Sequence, residues 1–224
     1  MLSFSRDGRR RHKEQLYHLF ARVASAMANA HRLELLDLLA QAPRTVEELA
    51  REAHMSVANT SQHLQRLKQA RLVLDERDGP YVRYRLASPA VVRLWLELRA
   101  VAELQLTEVE QALGAYRERR NEFERIAAEA VRRRLQAGEI ILLDVRPQVE
   151  YEAGHLLEAI SIHLDDLKRR LNELPQDKTV VAYCRGPYCA YADDALALLA
   201  KKGWNVARLE EGVVEWQEGS YPVE

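Results

Sequence analysis

The hydrophobic periodicity of this 224-residue chain changes character once, near Gly138, and that change limits the fold more than any other feature. Before it, apolar residues recur at helical spacing, interrupted by one pair of strand-like runs. After it, short continuous apolar runs alternate with helical stretches. The first pattern predicts a mainly α domain. The second predicts an α/β domain, with a mostly parallel sheet covered on both faces.

Residues 1–12 read as a disordered basic arm. Leu16, Leu19, Phe20, Val23 and Ala24 predict a helix over residues 14–29, and a leucine-rich second helix covers 30–41 before Pro43 stops it. Thr45 and Glu48 form a capping box for a third helix, TVEELAREA. Ser56 caps a fourth, VANTSQHLQRLKQAR. Residues 72–74 and 81–86, joined by a turn at Asp78, Gly79 and Pro80, predict a hairpin with Val82, Tyr84 and Leu86 on one face and Arg83 and Arg85 on the other. Beyond Ser88, the stripe Val91, Leu94, Leu98 and Val101 predicts a long helix to residue 118 or further, and another helix covers 122–136.

Two short helices joined by a tight turn and followed by a basic hairpin make a winged helix-turn-helix domain over residues 13–87. The fourth helix presents Ser56, Val57, Asn59, Ser61 and Gln62 at its head, and Asn and Gln can pair bidentately with adenine in the major groove. His63, Arg66 and Lys68 on that helix, with Arg77, Arg83 and Arg85 of the hairpin, are placed to meet phosphates. Charge is distributed to match. Residues 1–121 hold 20 Lys+Arg against 15 Asp+Glu, a balance of +5, and residues 122–224 hold 13 against 19, a balance of -6, together the net -1 of the chain. The expected partner of the first half is a double-stranded DNA operator.

The run from Ala26 to Leu86, AMANAHRLELLDLLAQAPRTVEELAREAHMSVANTSQHLQRLKQARLVLDERDGPYVRYRL, resembles the ArsR/SmtB class of bacterial repressors over essentially its whole length. The resemblance implies a homodimer built through the first and last helices of the domain, with the Val91–Leu98–Val101 stripe as a candidate seam and residues 88–124 as dimerisation and linker helices. Metal-sensing members carry Cys in the helix before the turn, or His and acidic ligands on the last helix. Here TVEELAREA has no Cys and residues 88–120 have neither Cys nor His, so no metal site is expected. His12, His18 and His31 do not form a ligand set by spacing.

In the second half the strongest chemical signal is CRGPYC, Cys184 to Cys189, between a predicted strand over 180–183 and a helix starting near Tyr191. Convergent N–H groups and the helix dipole favour a thiolate, and equally a persulfide anion, on Cys184. Arg185 adds positive charge, Gly186 lets the loop bend inward, and Pro187 and Tyr188 complete it. Cys189 is either a second thiol that resolves a Cys184 persulfide or a spectator at the start of the helix.

LLDVRPQVEYEAGHLLEAISI, VVAYCRGPYC and GWNVARLEEGVVEWQEGSYPV resemble the rhodanese-type sulfurtransferases across residues 125–224. The resemblance implies that Cys184 takes a sulfane sulfur from a donor such as thiosulfate, polysulfide or persulfide and passes it to a thiol acceptor. It gives Asp144, Arg146, Glu150 and His155 to the scaffold. Glu158 and Glu211 stand where glycine is usual, and His163 where proline is common. Phosphatase and arsenate-reductase relatives need a loop one residue longer that ends in Arg; Ala190 occupies that position and favours a sulfur substrate.

The basic N-terminus has no apolar stretch behind it, no run approaches the ~20 apolar residues of a membrane span, and two cysteines suit a reducing compartment. These point to the cytoplasm, with no cofactor. Three functions stay open: a homodimeric regulator that senses or transfers sulfane sulfur, a sulfurtransferase whose N-terminal half serves dimerisation, and a regulator with a non-catalytic rhodanese domain.

Overall fold

The computed structural model describes residues 6–118 and 123–224. The chain divides into two compact units, residues 1–96 and 97–224. The division falls inside a helix, whereas the sequence reading set its boundaries at 87/88 and 124/125.

The first unit begins with α1 (Arg6–Met27) and α2 (Ala30–Gln41). Asn29 separates them by capping α2, its side chain accepting from Arg32 N at 3.2 Å. Residues 6–12, expected in a disordered arm, belong to α1; no proline interrupts them, and Arg10 pairs with Glu14 one turn on at 2.9 Å. Residues 1–5 of that arm lie outside the described residues.

After β1 (Arg44–Thr45), α3 (Val46–Glu52) starts on the expected capping box. Thr45 Oγ1 accepts from Glu48 N at 3.2 Å, and Glu48 Oε2 accepts from Thr45 N at 2.7 Å. His54, at φ 50°, makes the tight turn into α4 (Val57–Gln69), which Ser56 caps through Asn59 N at 3.3 Å. The hairpin β2 (Val73–Asp78) and β3 (Tyr81–Leu86) forms an antiparallel sheet in the order β1-β3-β2. Leu35, Leu36, Leu49, Leu64 and Leu67 fill the core with no exposed surface, so α2, α3 and α4 are held together by leucines at helical spacing. α5 (Pro89–Gln105) contributes Val91 to this core, and its Trp95 Nε1 donates to Asp37 Oδ1 of α2 at 2.9 Å.

The long helix expected from Ser88 is broken at Leu106, after which α6 (Thr107–Glu118) begins; the weakening of the apolar stripe beyond Val101 is the trace of that break. The helix expected over 122–136 is instead β4 (Glu124–Ile126) followed by α7 (Ala128–Gln136). A three-residue strand is too short to display alternation. There follow β5 (Ile140–Asp144), α8 (Gln148–Ala153), β6 (Ile160–Ser161), α9 (Leu164–Leu167), β7 (Thr179–Tyr183), α10 (Tyr191–Lys201), β8 (Val206–Leu209) and α11 (Val213–Glu218). The helix expected over 164–172 is only α9 and a short 3-10 turn, Leu171–Glu173.

The second sheet runs β4-β8-β7-β5-β6 with every pairing parallel. Its strands read as continuous apolar runs because both faces are covered. Ile140, Leu142, Val181 and Tyr183 enter one core, while Leu143, Val180, Ala182 and Cys184 enter the other. The chain leaves β5 toward β6 and returns to β7 on the other side, so the loops after β5 and β7 flank the point where the winding reverses. In open parallel sheets that crevice is where ligands bind. Cys184 stands at its edge.

Candidate functional site

On α4, Ser56, Val57, Gln62 and Arg66 are exposed and Asn59 and Ser61 half-buried, so the helix offers its polar head outward while Leu64 and Leu67 anchor it. On the hairpin, Arg77 and Arg85 are exposed; Arg83 is half-buried 3.7 Å from Glu48, and Arg85 lies 3.8 Å from Glu76. Pro43, Glu76, Arg77, Arg83 and Arg85 line a cavity of about 310 Å³. Lys68 is engaged by Asp75 at 2.7 Å.

His63 departs from expectation. It is buried, its ring lies 5.6 Å from that of His31, and its Nδ1 is screened from solvent without a hydrogen-bond partner. Burial, then Arg32, His31 and Arg66, push its pKa below the usual 6.5. With its ring buried beside His31, His63 is not presented to solvent as Arg66, Arg77 and Arg85 are.

In the second unit, β7 delivers Cys184 into a loop closed at Cys189. Cys184 is buried, with Sγ 3.5 Å from Cys189 O and 3.9 Å from Gly186 O, and Cys189 is half-buried. The two are not joined in a disulfide. The acidity is the reverse of the sequence expectation. Burial, together with hydrogen bonding and proximity to Cys189, pushes the Cys184 thiol well up, against weaker help from Arg208 and the Ala192 amide. Cys189 is drawn down to about 7 by the Cys184 S–H, aided by the amides of Tyr191 and Arg185. The two shifts run in opposite directions, burial raising Cys184 and the neighbouring thiol lowering Cys189.

Arg208 supports the loop from β8. Its Nη2 donates to Gly186 O at 3.2 Å and Cys189 O at 3.3 Å, and its Nη1 meets the buried Asp193 of α10. Arg185 turns to Glu150 of α8, Nη2 to Oε1 at 2.6 Å. Gly186 sits at φ 130°, a conformation that favours glycine, and a Cβ there would lie 3.1 Å from Glu215 Oε1. Pro187 and Tyr188 are half-buried, the Tyr188 ring lying 5.4 Å from the Arg99 guanidinium. Asp144 and Arg146 form a buried pair at 2.7 Å next to the loop, and His155 stacks on Tyr151 at 3.7 Å.

Residues 29–74 match the family model described as bacterial regulatory protein, arsR family, and residues 127–219 match that of the rhodanese-like domain. The HTH-type transcriptional regulator Rv0324 of Mycobacterium tuberculosis is 41% identical over 212 residues, which span 95% of this chain and 93% of that protein. The chain belongs to the arsR family of bacterial regulators and carries a C-terminal rhodanese-like domain. A sulfurtransferase of Allochromatium vinosum is 30% identical over 100 residues, 44% of this chain and 92% of that protein. The solution structure of the homodimeric winged helix-turn-helix DNA-binding domain (fragment 1–100) of Mb0332 from Mycobacterium bovis is 39% identical, covers 47% of this chain and 94% of that one, and has a TM-score of 0.43.

Sequence reasoning missed several residues around the loop of this arsR-family regulator. Gly212 lets the backbones of two loops touch: a Cβ on it would stand 2.5 Å from the carbonyl carbon of Arg185. Glu215 accepts from Gly212 N at 3.0 Å and pairs with Arg99 at 2.6 Å. The G-x-x-E spacing of Gly212 and Glu215 is a helix-start pattern that could have revealed the first contact. Arg99 and Arg208 gave no signal, since each is brought to the loop only by the fold. Among the described residues, no group of three His, Cys, Asp or Glu side chains could hold a metal ion, and no helix is long and apolar enough to cross a membrane.

Proposed function

We propose that this arsR-family chain is a homodimeric regulator of transcription whose affinity for a double-stranded DNA operator is set by sulfane sulfur captured on its rhodanese loop. In this reading residues 13–87 meet DNA, 88–124 dimerise and link, and 125–224 carry the sulfur chemistry. Ser56, Val57, Asn59, Ser61 and Gln62 face base edges, and Arg66, Arg77, Arg83 and Arg85 face phosphates. Leu16, Leu19 and Phe20 on α1 and Leu94, Leu98 and Val101 on α5 are exposed apolar side chains that a second copy would cover.

The observation that carries the sulfur step is the pair of cysteines in one loop, Cys184 Sγ reaching the main-chain oxygens of Gly186 and Cys189, the same carbonyls that Arg208 holds. Cys189 thiolate takes the Cys184 proton. The Cys184 thiolate attacks the outer sulfur of a donor RS–SH, the donor S–S bond breaks, and RS⁻ leaves with Cys184 as its persulfide. The departing RS⁻ takes the proton from Cys189 to become RSH, and attack of the Cys189 thiolate on the inner sulfur then releases hydrosulfide and closes a Cys184–Cys189 disulfide. The sum is RSSH plus two thiols giving RSH, H₂S and the disulfide. A reducing cytoplasm keeps both cysteines as thiols between events.

Treatment of the full chain with inorganic polysulfide, followed by mass spectrometry of both cysteines and titration of DNA selected by the protein from a random library, tests this. Sulfur on the pair is expected to change DNA affinity by about 5- to 150-fold. Complete modification with unchanged affinity overturns it.

The likeness to a sulfurtransferase favours a second reading, in which the loop turns over thiosulfate and cyanide and passes sulfur to a thiol acceptor. Turnover that vanishes in Cys184→Ser, alongside DNA affinity indifferent to polysulfide, selects that reading.

A further inference from the structure

A cavity of about 240 Å³ opens beside the loop, lined by Arg99, Arg125, Pro187, Arg208, Glu210, Glu211 and Glu215. It is smaller than the roughly 300–1,000 Å³ of pockets for drug-sized ligands and suits a molecule of amino-acid size. The strand pairing explains its charge. Arg125 of β4 and Arg208 of β8 are register partners in a parallel pair, so two cations stand side by side at the mouth.

Three carboxylates share that mouth, and their pairing is uneven. Glu215 is held by Arg99 at 2.6 Å, and Glu210 lies 3.4 Å from Arg125 in a pair that is close to half exposed on both sides. Arg208 is committed to Asp193 and the loop carbonyls. Glu211 is left over: its Oε2 is screened from solvent with no hydrogen-bond partner in the structure. A buried carboxylate oxygen without a donor costs free energy unless something supplies one.

We propose that this cavity binds the zwitterionic end of an amino-acid or short-peptide persulfide, with Glu211 receiving its ammonium and Arg125 its carboxylate, so that the terminal sulfur is presented at the loop. The exposed Arg125–Glu210 pair is weak enough to exchange partners, whereas the Glu211 oxygen gains a donor it lacks. Pro187 is shared by loop and cavity, which places the ligand next to the sulfur chemistry. The inference rests on the reading that the loop cysteines take sulfane sulfur, and it names the donor class. The transfer is that written above: Cys189 takes the Cys184 proton, a bond forms from Cys184 Sγ to the outer sulfur, the donor S–S bond breaks, and the amino-acid thiolate departs.

The test compares the rate at which the full-length protein gains one sulfur from cysteine persulfide and from the persulfide of 3-mercaptopropionate, which keeps the carboxylate but lacks the amine. Inorganic polysulfide is the third probe. Cysteine persulfide is expected to load about tenfold or more faster than its des-amino counterpart, the effect of one charge-assisted hydrogen bond. In Glu211→Gln that ratio falls toward one. In Arg125→Gln both organic donors slow together and the ratio persists, so the outcome does not depend on a single variant folding well. Equal rates for the two organic donors on the native protein, while polysulfide loads normally, overturn the cavity assignment alone. Failure of all three probes to place sulfur on either cysteine overturns the sulfur-capture reading beneath it.

Discussion

Arg185 Nη2 lies 2.6 Å from Glu150 Oε1, and the Glu150 side chain has no exposed surface. The charge that the sequence offers to the loop's sulfurs is thus largely turned toward α8, where it pins the loop after β7 to the segment after β5. Breaking a buried pair from one side strands the other charge and costs about 3–5 kcal/mol. Glu150→Ala should lower the denaturation midpoint of the second unit, read through Trp204 and Trp216, while the first unit's transition stays in place. An unshifted midpoint would mean that the pair contributes nothing net.

The dithiol predicts a distinctive pH profile. With Cys189 drawn to about 7 and Cys184 held well above its usual value, the pair loses one proton near neutrality and keeps the second into alkaline solution. Alkylation mapped by mass spectrometry should modify Cys189 first, its rate rising through about pH 7. Cys184→Ala removes the S–H that holds the thiolate, so the Cys189 midpoint should climb toward the ordinary value of about 8.5. A midpoint that stays put in the variant would show that the loop amides, not the neighbouring thiol, set the acidity.

The large helices and the central strands were legible because their signals are local: the Thr45–Glu48 capping box, the Ser56 cap, and the continuous apolar runs of β5, β7 and β8. The positions where the chain departs from the rhodanese pattern carried information too. Glu158, standing where glycine is usual, adopts φ 65°, the left-handed conformation that glycine takes without cost. Glu211, another such position, brings a side chain to the cavity. What stayed hidden depends on distant partners. The strand β4 is defined only by its pairing with β8, and Arg208 serves a loop some twenty residues upstream. The burial of Cys184, which raises its thiol pKa, is likewise something no spacing reveals.

His63 makes the first unit sensitive to acid. Its folded pKa lies below the unfolded value near 6.5 through burial, then Arg32, His31 and Arg66. The unfolded chain therefore binds the proton more readily, and stability is full above about pH 6.5 and falls as pH drops toward the lower folded value. Thermal melts between about pH 5 and 7.5 should show the first unit losing stability on acidification, and His63→Leu should flatten that dependence. An equally steep loss in the variant would assign the effect to other groups.

On the hairpin, Arg77 is exposed, and its expected role is phosphate contact without base reading. Arg77→Ala should weaken binding to all duplexes alike and reduce the slope of log affinity against log salt by about 0.9. Gln62→Ala should act differently, costing about 1–3 kcal/mol on the preferred sequence and relaxing choice at one base position. Fluorescence anisotropy over a salt series, with selected and scrambled duplexes, separates them. Loss of sequence preference in Arg77→Ala would refute the division of labour.

Gly212 supplies the sharpest structural test of the loop. A Cβ there would lie 2.5 Å from Arg185 C, 2.6 Å from Arg185 O and 2.7 Å from Gly186 N, all main-chain atoms that cannot rotate away. Gly212→Ala must therefore push the loop outward, at a cost of about 1–3 kcal/mol for overpacking. Displacement separates the loop carbonyls from Arg208 and from Cys184 Sγ, which lies 3.9 Å from Gly186 O and 3.5 Å from Cys189 O. The expected result is slower sulfur loading and a Cys189 alkylation midpoint raised from about 7, with DNA binding by the unmodified protein retained. Unchanged loading and an unchanged midpoint would mean that the close approach of these two backbones does not shape the reactive pair.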